Sequence, residues 1–240
     1  MLALDSARWR TAWDEVMAGF VPGLASLEGA IGTATESVLG RSPTRVLDLG
    51  GGPGVLATRM AERWPEARVT MIDIDPVLLA LARGGVPDAV TVLDADLGEP
   101  DWTGTAGDGY DLATAVMTVH YLRPERIRAL YRSCHRALNP GGLLVVADLM
   151  PDDGLPFVSA ALNPAPGEAA AELAWAQWWG EVASAFDDLM ASRAEVFRDR
   201  PAANFAGSVA WHVAAARAAG FSEAGLLWRD GRHAALVALA

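Results

Sequence analysis

Four stretches combine residue types and spacing that could do chemistry. In the first, Val46-Leu47-Asp48-Leu49-Gly50-Gly51-Gly52-Pro53-Gly54, an apolar run carries an acid near its end and glycines follow at 50, 52 and 54. Glycine permits the backbone angles of a tight strand-to-helix turn, and lets a ligand lie against the main chain with no β-carbon between. Parallel sheets bind ligands at the carboxyl ends of their strands, so such a turn is a natural cradle. In the second, Met71-Ile72-Asp73-Ile74-Asp75-Pro76, Asp73 closes another apolar run 25 residues after Asp48. A carboxylate there can accept hydrogen bonds from both hydroxyls of a ribose, whereas Asp75, just before proline, suits a helix N-cap. The third, Val92-Leu93-Asp94-Ala95-Asp96-Leu97, sets two acids after a third apolar run. The fourth, Met117-Thr118-Val119-His120-Tyr121-Leu122, puts a histidine just past a fourth. Histidine titrates near neutral pH and can take a proton from an acceptor.

These groups need a scaffold, and the pattern around them supplies one. From Thr44 the chain alternates short apolar runs with helical stretches: strands at 44–49, 68–72, 89–93, 110–117 and 143–149, helices at 55–64, 76–83 and 124–138. Strands alternating with helices imply a parallel sheet covered on both faces. Residues 98–109 are rich in glycine and acid and read as a loop, and Pro140-Gly141-Gly142 as the turn into the fifth strand. Helix 209–219 and two strands joined by Asp230-Gly231 follow at the end, the signature of a tight antiparallel hairpin. The organisation expected is helical N-terminal cover over 1–43, a core over 44–150, a helical insertion or lid over 151–207, and a C-terminal helix and hairpin over 208–240 that completes the sheet.

Composition excludes whole classes. The 240 residues are 52% hydrophobic and 20% charged, as in globular chains. Net charge is −11 with scattered basic residues, which argues against nucleic acid or an anionic membrane as partner. No apolar run reaches spanning length and the N-terminus lacks a leader pattern, so a cytoplasmic protein is expected. All 19 basic residues are arginine, which removes Schiff-base lysine chemistry and a phosphate-loop lysine, and hints at a GC-rich bacterial source. The single cysteine, Cys134, excludes an internal disulfide or a multi-cysteine metal site and suits a buried helix position. No histidine–carboxylate spacing suggests a metal.

The ordered set resembles the class I S-adenosylmethionine (SAM)-dependent methyltransferases of small molecules. The glycine run matches their first motif, and the dinucleotide fingerprint fails, because its third glycine would fall on Val55. Tyr110-Asp111-Leu112 and Leu138-Asn139-Pro140-Gly141-Gly142-Leu143 are similar to later motifs of the family, and the hairpin after Ala219-Gly220-Phe221 to its closing strand pair. The resemblance spans about residues 44–150 and 208–240. It implies an α/β, Rossmann-like, doubly wound, mostly parallel seven-stranded sheet with a C-terminal antiparallel hairpin. It also implies SAM bound by Asp48, Gly50, Gly51, Gly52, Gly54, Asp73, Ile74, Asp94, Ala95, Asp96 and Met117. Asp73 takes the ribose in that scheme; Asp94, with Asp96 as the alternative, takes the adenine amino group.

Methyl transfer is an in-line displacement, so the enzyme must align the acceptor and exclude water. His120 is similar in place to a histidine that takes the hydroxyl proton in small-molecule O-methyltransferases. Tyr121-Leu122 departs from the acid and aromatic expected after it, and a packing role stands beside the catalytic one. His135, His212 and His233 are not expected to act. Trp175, Trp178 and Trp179 form a helical stripe that suits either core or an aromatic wall for a flat acceptor, as do Trp9 and Trp13. The expected partner is a small metabolite, with a secondary metabolite among the candidates and a homodimer open. Three other functions remain: a SAM-binding cyclase or decarboxylase of the same fold, a nicotinamide-dependent oxidoreductase, and a non-catalytic binding subunit that retains the fold.

Overall fold

The computed structural model describes residues 5–100, 102–162 and 168–240. Seven strands form one sheet: β1 (Arg45–Leu49), β2 (Arg68–Asp73), β3 (Val90–Asp94), β4 (Tyr110–Val116), β5 (Leu138–Leu149), β6 (Glu223–Asp230) and β7 (His233–Leu239). Their order is β3-β2-β1-β4-β5-β7-β6, with only β7 antiparallel to its neighbours. The order reverses between β1 and β4, which opens a crevice at the carboxyl ends of both.

The apolar runs are continuous because both sheet faces are buried. On one face Leu47, Leu49, Ala113, Leu144 and Val146 pack with Ile127 and Tyr131 of α6 (Pro124–Ala137) and Ala215 of α10 (Val209–Ala218). On the other, Val46, Val69, Leu112 and Val145 meet Leu27 and Ile31 of α2 (Leu24–Leu39) and Met60 of α3 (Val55–Arg63). Alternate residues of one strand thus serve opposite cores.

A third cluster sits outside the sheet. Trp9 and Val16 of α1 (Ser6–Phe20), Val77 and Leu81 of α4 (Pro76–Arg83), and Trp178 and Val182 of α8 (Glu168–Ala185) close on one another. After the break at Pro22-Gly23, α1 and α2 take different tasks: α2 covers the sheet and α1 packs chiefly on α8.

Two local expectations change. The stretch 98–109 contains a short helix, α5 (Trp102–Ala106), whose Trp102 is driven into the core at 2% exposure. The fifth strand begins at Leu138, and Pro140-Gly141-Gly142 lies within it, accommodated by a register shift opposite Tyr110 and Leu112. The insertion resolves into α7 (Pro156–Ala161), α8 and α9 (Asp187–Phe197). No single described helix is long and apolar enough to cross a membrane.

Candidate active site

A cavity of about 860 Å³ opens at the carboxyl ends of the strands, where their order reverses. The glycine turn forms its floor. The amides of Gly50 and Gly51 donate to the Ile72 carbonyl at 2.8 and 3.0 Å, and Gly52 N–H donates to Asp73 Oδ2 at 2.8 Å. With these amides engaged by the protein, the turn offers the cavity its α-carbon surface rather than a ring of N–H donors for a diphosphate. Gly50 sits at φ +70°, and a β-carbon there would strike the Thr118 side chain at 2.4 Å. Gly52, at φ +57°, would meet only the Trp13 ring, at 3.5 Å, so its open side is the space beneath that indole.

Asp48 is 1% exposed and lines the cavity. Its Oδ1 accepts from Thr114 Oγ1 at 2.9 Å, while Oδ2 has no partner among the described residues. Burial pushes this carboxyl up to about 7. Asp73 is also buried, and burial raises it to about 6 although three backbone amides (Gly52, Ile74 and Asp75) donate to it. Oδ1 takes two of these amides and Oδ2 one, so Oδ2 keeps a lone pair for a further donor. Asp75 caps α4, accepting from Val77 N–H at 2.9 Å, and also takes Arg193 Nε at 2.6 Å.

Beyond β3 the two acids part. Asp94 is exposed at the strand end and does not line the cavity, whereas Ala95 and Asp96 do. The preference for Asp94 is therefore reversed: it pairs in register with Asp73 but stands exposed on the edge strand, and the loop beyond it brings Asp96 in. Asp96 Oδ1 accepts from Gly98 N–H at 2.7 Å, and Oδ2 from Arg200 Nε at 3.0 Å. Gly51, Ile74 and Met117 line the same cavity, while Gly54 caps α3 just behind the turn. Met117 holds φ +52°, a costly angle for a residue with a side chain and the kind of strain kept at functional sites.

His120 lies on the wall past β4. Its Nδ1 is 2.9 Å from Asp148 Oδ1, and its main-chain N–H donates to Oδ2 at 3.2 Å. An ionised carboxylate only accepts, so Nδ1 carries the proton that faces Asp148, and among the described residues Nε2 makes no hydrogen bond. The side chains are 16% and 2% exposed. Asp148 was not among the expected residues, although an acid interrupting the apolar end of β5 repeats the pattern of Asp48 and Asp73. His212 is buried against the Tyr131 hydroxyl, and burial lowers it to about 4. His135 packs beside Gly220 and Phe221, away from the cavity. His233, from the hairpin, does line it. Cys134 is buried, which pushes its thiol up to about 12 and leaves it inert.

The remaining walls come from outside the sheet. Trp13, Phe20, Trp175 and Trp179 line the cavity, while Trp9 and Trp178 stand behind them, at 7% and 3% exposure. The tryptophan stripe therefore divides between wall and core. Arg10 of α1 reaches under the glycine turn, donating to the Pro53 and Gly54 carbonyls at 2.8 and 3.0 Å and to the Gly85 carbonyl. No periodicity announces this contact, which joins residues more than 40 positions apart. Among the described residues no group of histidines, cysteines and acids could hold a metal.

Residues 46–142 match the family model of a methyltransferase domain. That match takes in the acid–glycine turn and about two fifths of the 240 residues, and over this stretch the chain is similar to methyltransferases. A trans-aconitate 2-methyltransferase of Escherichia coli is 37% identical over 110 residues, 46% of this chain and 40% of that protein. The chain thus aligns with less than half the length of the curated relatives it matches. Among solved structures, an O-methyltransferase family protein from Burkholderia thailandensis gives a TM-score of 0.62 at 17% identity, covering 100% of this chain and 63% of that one. Human N-acetylserotonin methyltransferase, solved with SAM, gives 0.56 at 16% identity, covering 100% and 60%. At these identities the likeness concerns the fold.

SAM is the cofactor of the methyltransferases that the chain resembles, and the residues present fit it. The partnerless buried oxygen of Asp48 suits an ammonium group. The bare α-carbon of Gly52 leaves room beside it, and the remaining lone pair of Asp73 Oδ2 suits a ribose hydroxyl.

Proposed function

We propose that this chain is a methyltransferase that transfers the methyl group of SAM to a hydroxyl of a small molecule, with His120 as base. The observation that carries this is the meeting, in one cavity, of the orphaned Asp48 carboxylate, Asp73, Asp96 and His120, whose ring is held by the buried Asp148. SAM, when bound, supplies a methyl group activated by the adjoining sulfonium. Asp48 holds the ammonium, Asp73 the ribose, and Asp96 with Ala95 borders the adenine; Ile74 and Met117 pack along the nucleoside. His120 Nε2 accepts the hydroxyl proton as oxygen attacks, and Asp148 holds the ring in the required tautomer and steadies it once charged. The aromatic wall excludes water.

The family match ends at residue 142, before the insertion that forms much of the acceptor wall, so the acceptor of the Escherichia coli relative does not carry over with the cofactor half. A small metabolite acceptor accords with the excess of acid over base. The test is calorimetry with SAM and S-adenosylhomocysteine on the wild type and Asp73→Ala, beside S-adenosylhomocysteine release in the presence of phenolic acceptors. Wild-type binding that Asp73→Ala abolishes supports the assignment; equal binding by both proteins refutes the ribose placement.

A further inference from the structure

We propose that the acceptor is an uncharged planar aromatic compound, stacked on a rigid indole wall that α1 and α8 build over the glycine turn. This rests on the function proposed above and names its substrate class. The wall has two layers. Trp13 and Trp175 face the cavity with ring centroids 4.9 Å apart; Trp179 lies 5.9 Å from Trp175, and Phe20 5.8 Å on its other side. Behind them Trp178 meets Trp13 at 5.0 Å and Trp179 at 4.9 Å, and Trp9 meets Trp178 at 6.1 Å, mostly edge to face. Rings wedged in this way lose little freedom when a ligand lands on them, which favours flat ligands that offer a face. Because Trp13 overhangs Gly52, the wall begins where the methionine end of the cofactor belongs.

Charge decides between acceptor classes. A polycarboxylate needs uncommitted cations, yet four of the cavity's six lining arginines are held by acids of the same cavity. Arg59 pairs with Asp14 and Glu28, Arg126 with Glu99, Arg193 with Asp75 and Arg200 with Asp96. Of the other two lining arginines, Arg123 is solvent-exposed at the start of α6 and Arg232 sits in the hairpin. A cationic acceptor is disfavoured for a different reason. An aromatic cage could draw a cation, but the Arg193 guanidinium already lies 4.1 Å from the Trp179 ring and 4.9 Å from Phe197. A second positive charge there would be repelled, whereas a neutral ring meets no such cost.

The test uses the full chain saturated with S-adenosylhomocysteine, titrated separately with 2-naphthol, tryptamine and citrate by calorimetry and tryptophan fluorescence. Saturable binding of 2-naphthol is expected, with tryptamine and citrate weaker by at least about tenfold. Trp175→Leu and Trp13→Leu, which keep apolar bulk without the ring face, should each weaken 2-naphthol about tenfold. Leu173→Ala, on the exposed side of α8, should leave it unchanged. Circular dichroism and S-adenosylhomocysteine affinity confirm that each variant is folded. Tighter binding of citrate or tryptamine than of 2-naphthol, or wild-type affinity in both tryptophan variants, overturns the proposal. Failure to bind S-adenosylhomocysteine at all overturns the function it rests on.

Discussion

The proposed cofactor half of the cavity and its proposed acceptor half are built by different means. The cofactor half uses strand ends: Asp48, Asp73 and the glycine turn are placed by backbone geometry that the sheet register imposes, within 26 residues of chain. The acceptor half uses side chains from α1, α8 and α9, which reach the cavity across the fold, as in the contact of Trp178 Nε1 with the Trp9 carbonyl 169 residues away. A site made from strand ends is constrained by the sheet itself. A wall of packed indoles can be rebuilt without disturbing the sheet, so acceptor choice has room to vary while the cofactor stays fixed.

Substitutions should separate the halves. The largest effect is expected for His120→Ala, which should slow turnover on a hydroxyl acceptor by about 100- to 10,000-fold while SAM affinity stays within about twofold. Asp148→Asn should act in the same direction, lowering kcat by about tenfold or more with SAM binding intact, because only the ring's tautomer and charge are affected. Asp73→Ala should do the opposite, weakening SAM by about 100-fold or more, as hydrogen bonds to a charged group are lost. Equal loss of cofactor binding in the His120 and Asp73 variants would erase the distinction between the halves.

Smaller changes should sharpen it. Arg193 joins the halves, since it pairs with Asp75 beside the nucleoside and stacks on Trp179 of the wall. Arg193→Gln should raise the Kd for SAM and the KM for acceptor together, each about three- to tenfold, by freeing α9 from α4. Protons give the finest probe. Burial lifts Asp73 to about 6 and Asp48 to about 7 from an ordinary 3.8. The folded protein without ligand thus keeps protons that the unfolded chain has released, and its stability should fall as pH rises from about 4 to about 7. A bound ammonium favours ionised Asp48, so SAM binding near pH 6 should release protons. Calorimetry in two buffers of different ionisation heat would reveal the release, and Asp48→Asn should remove most of it.

Legibility in the sequence follows the same division. The strands and helices could be read because local periodicity carries them, the doubly wound order came with the family resemblance, and Asp48, Asp73 and the glycine turn stood out as acids and glycines at strand ends. Choosing between Asp94 and Asp96 required knowing which way one side chain points past a strand end, and alternation alone did not extend into the loop. Asp148 carried a faint signal, an acid at the end of an apolar run. Arg10, Arg193 and Arg200 carried none, because their partners lie far along the chain. The tryptophan stripe announced a packed face but not that a second layer would hold Trp178 inside while Trp175 and Trp179 face the cavity.

The most direct measurement is a crystal structure of the chain with S-adenosylhomocysteine. The account predicts the ligand's ammonium within hydrogen-bonding distance of Asp48 Oδ2, its ribose on Asp73 and its sulfur between Trp13 and His120. A ligand bound elsewhere, or a water or protein donor satisfying Asp48 while the ammonium lies away from it, would contradict the account.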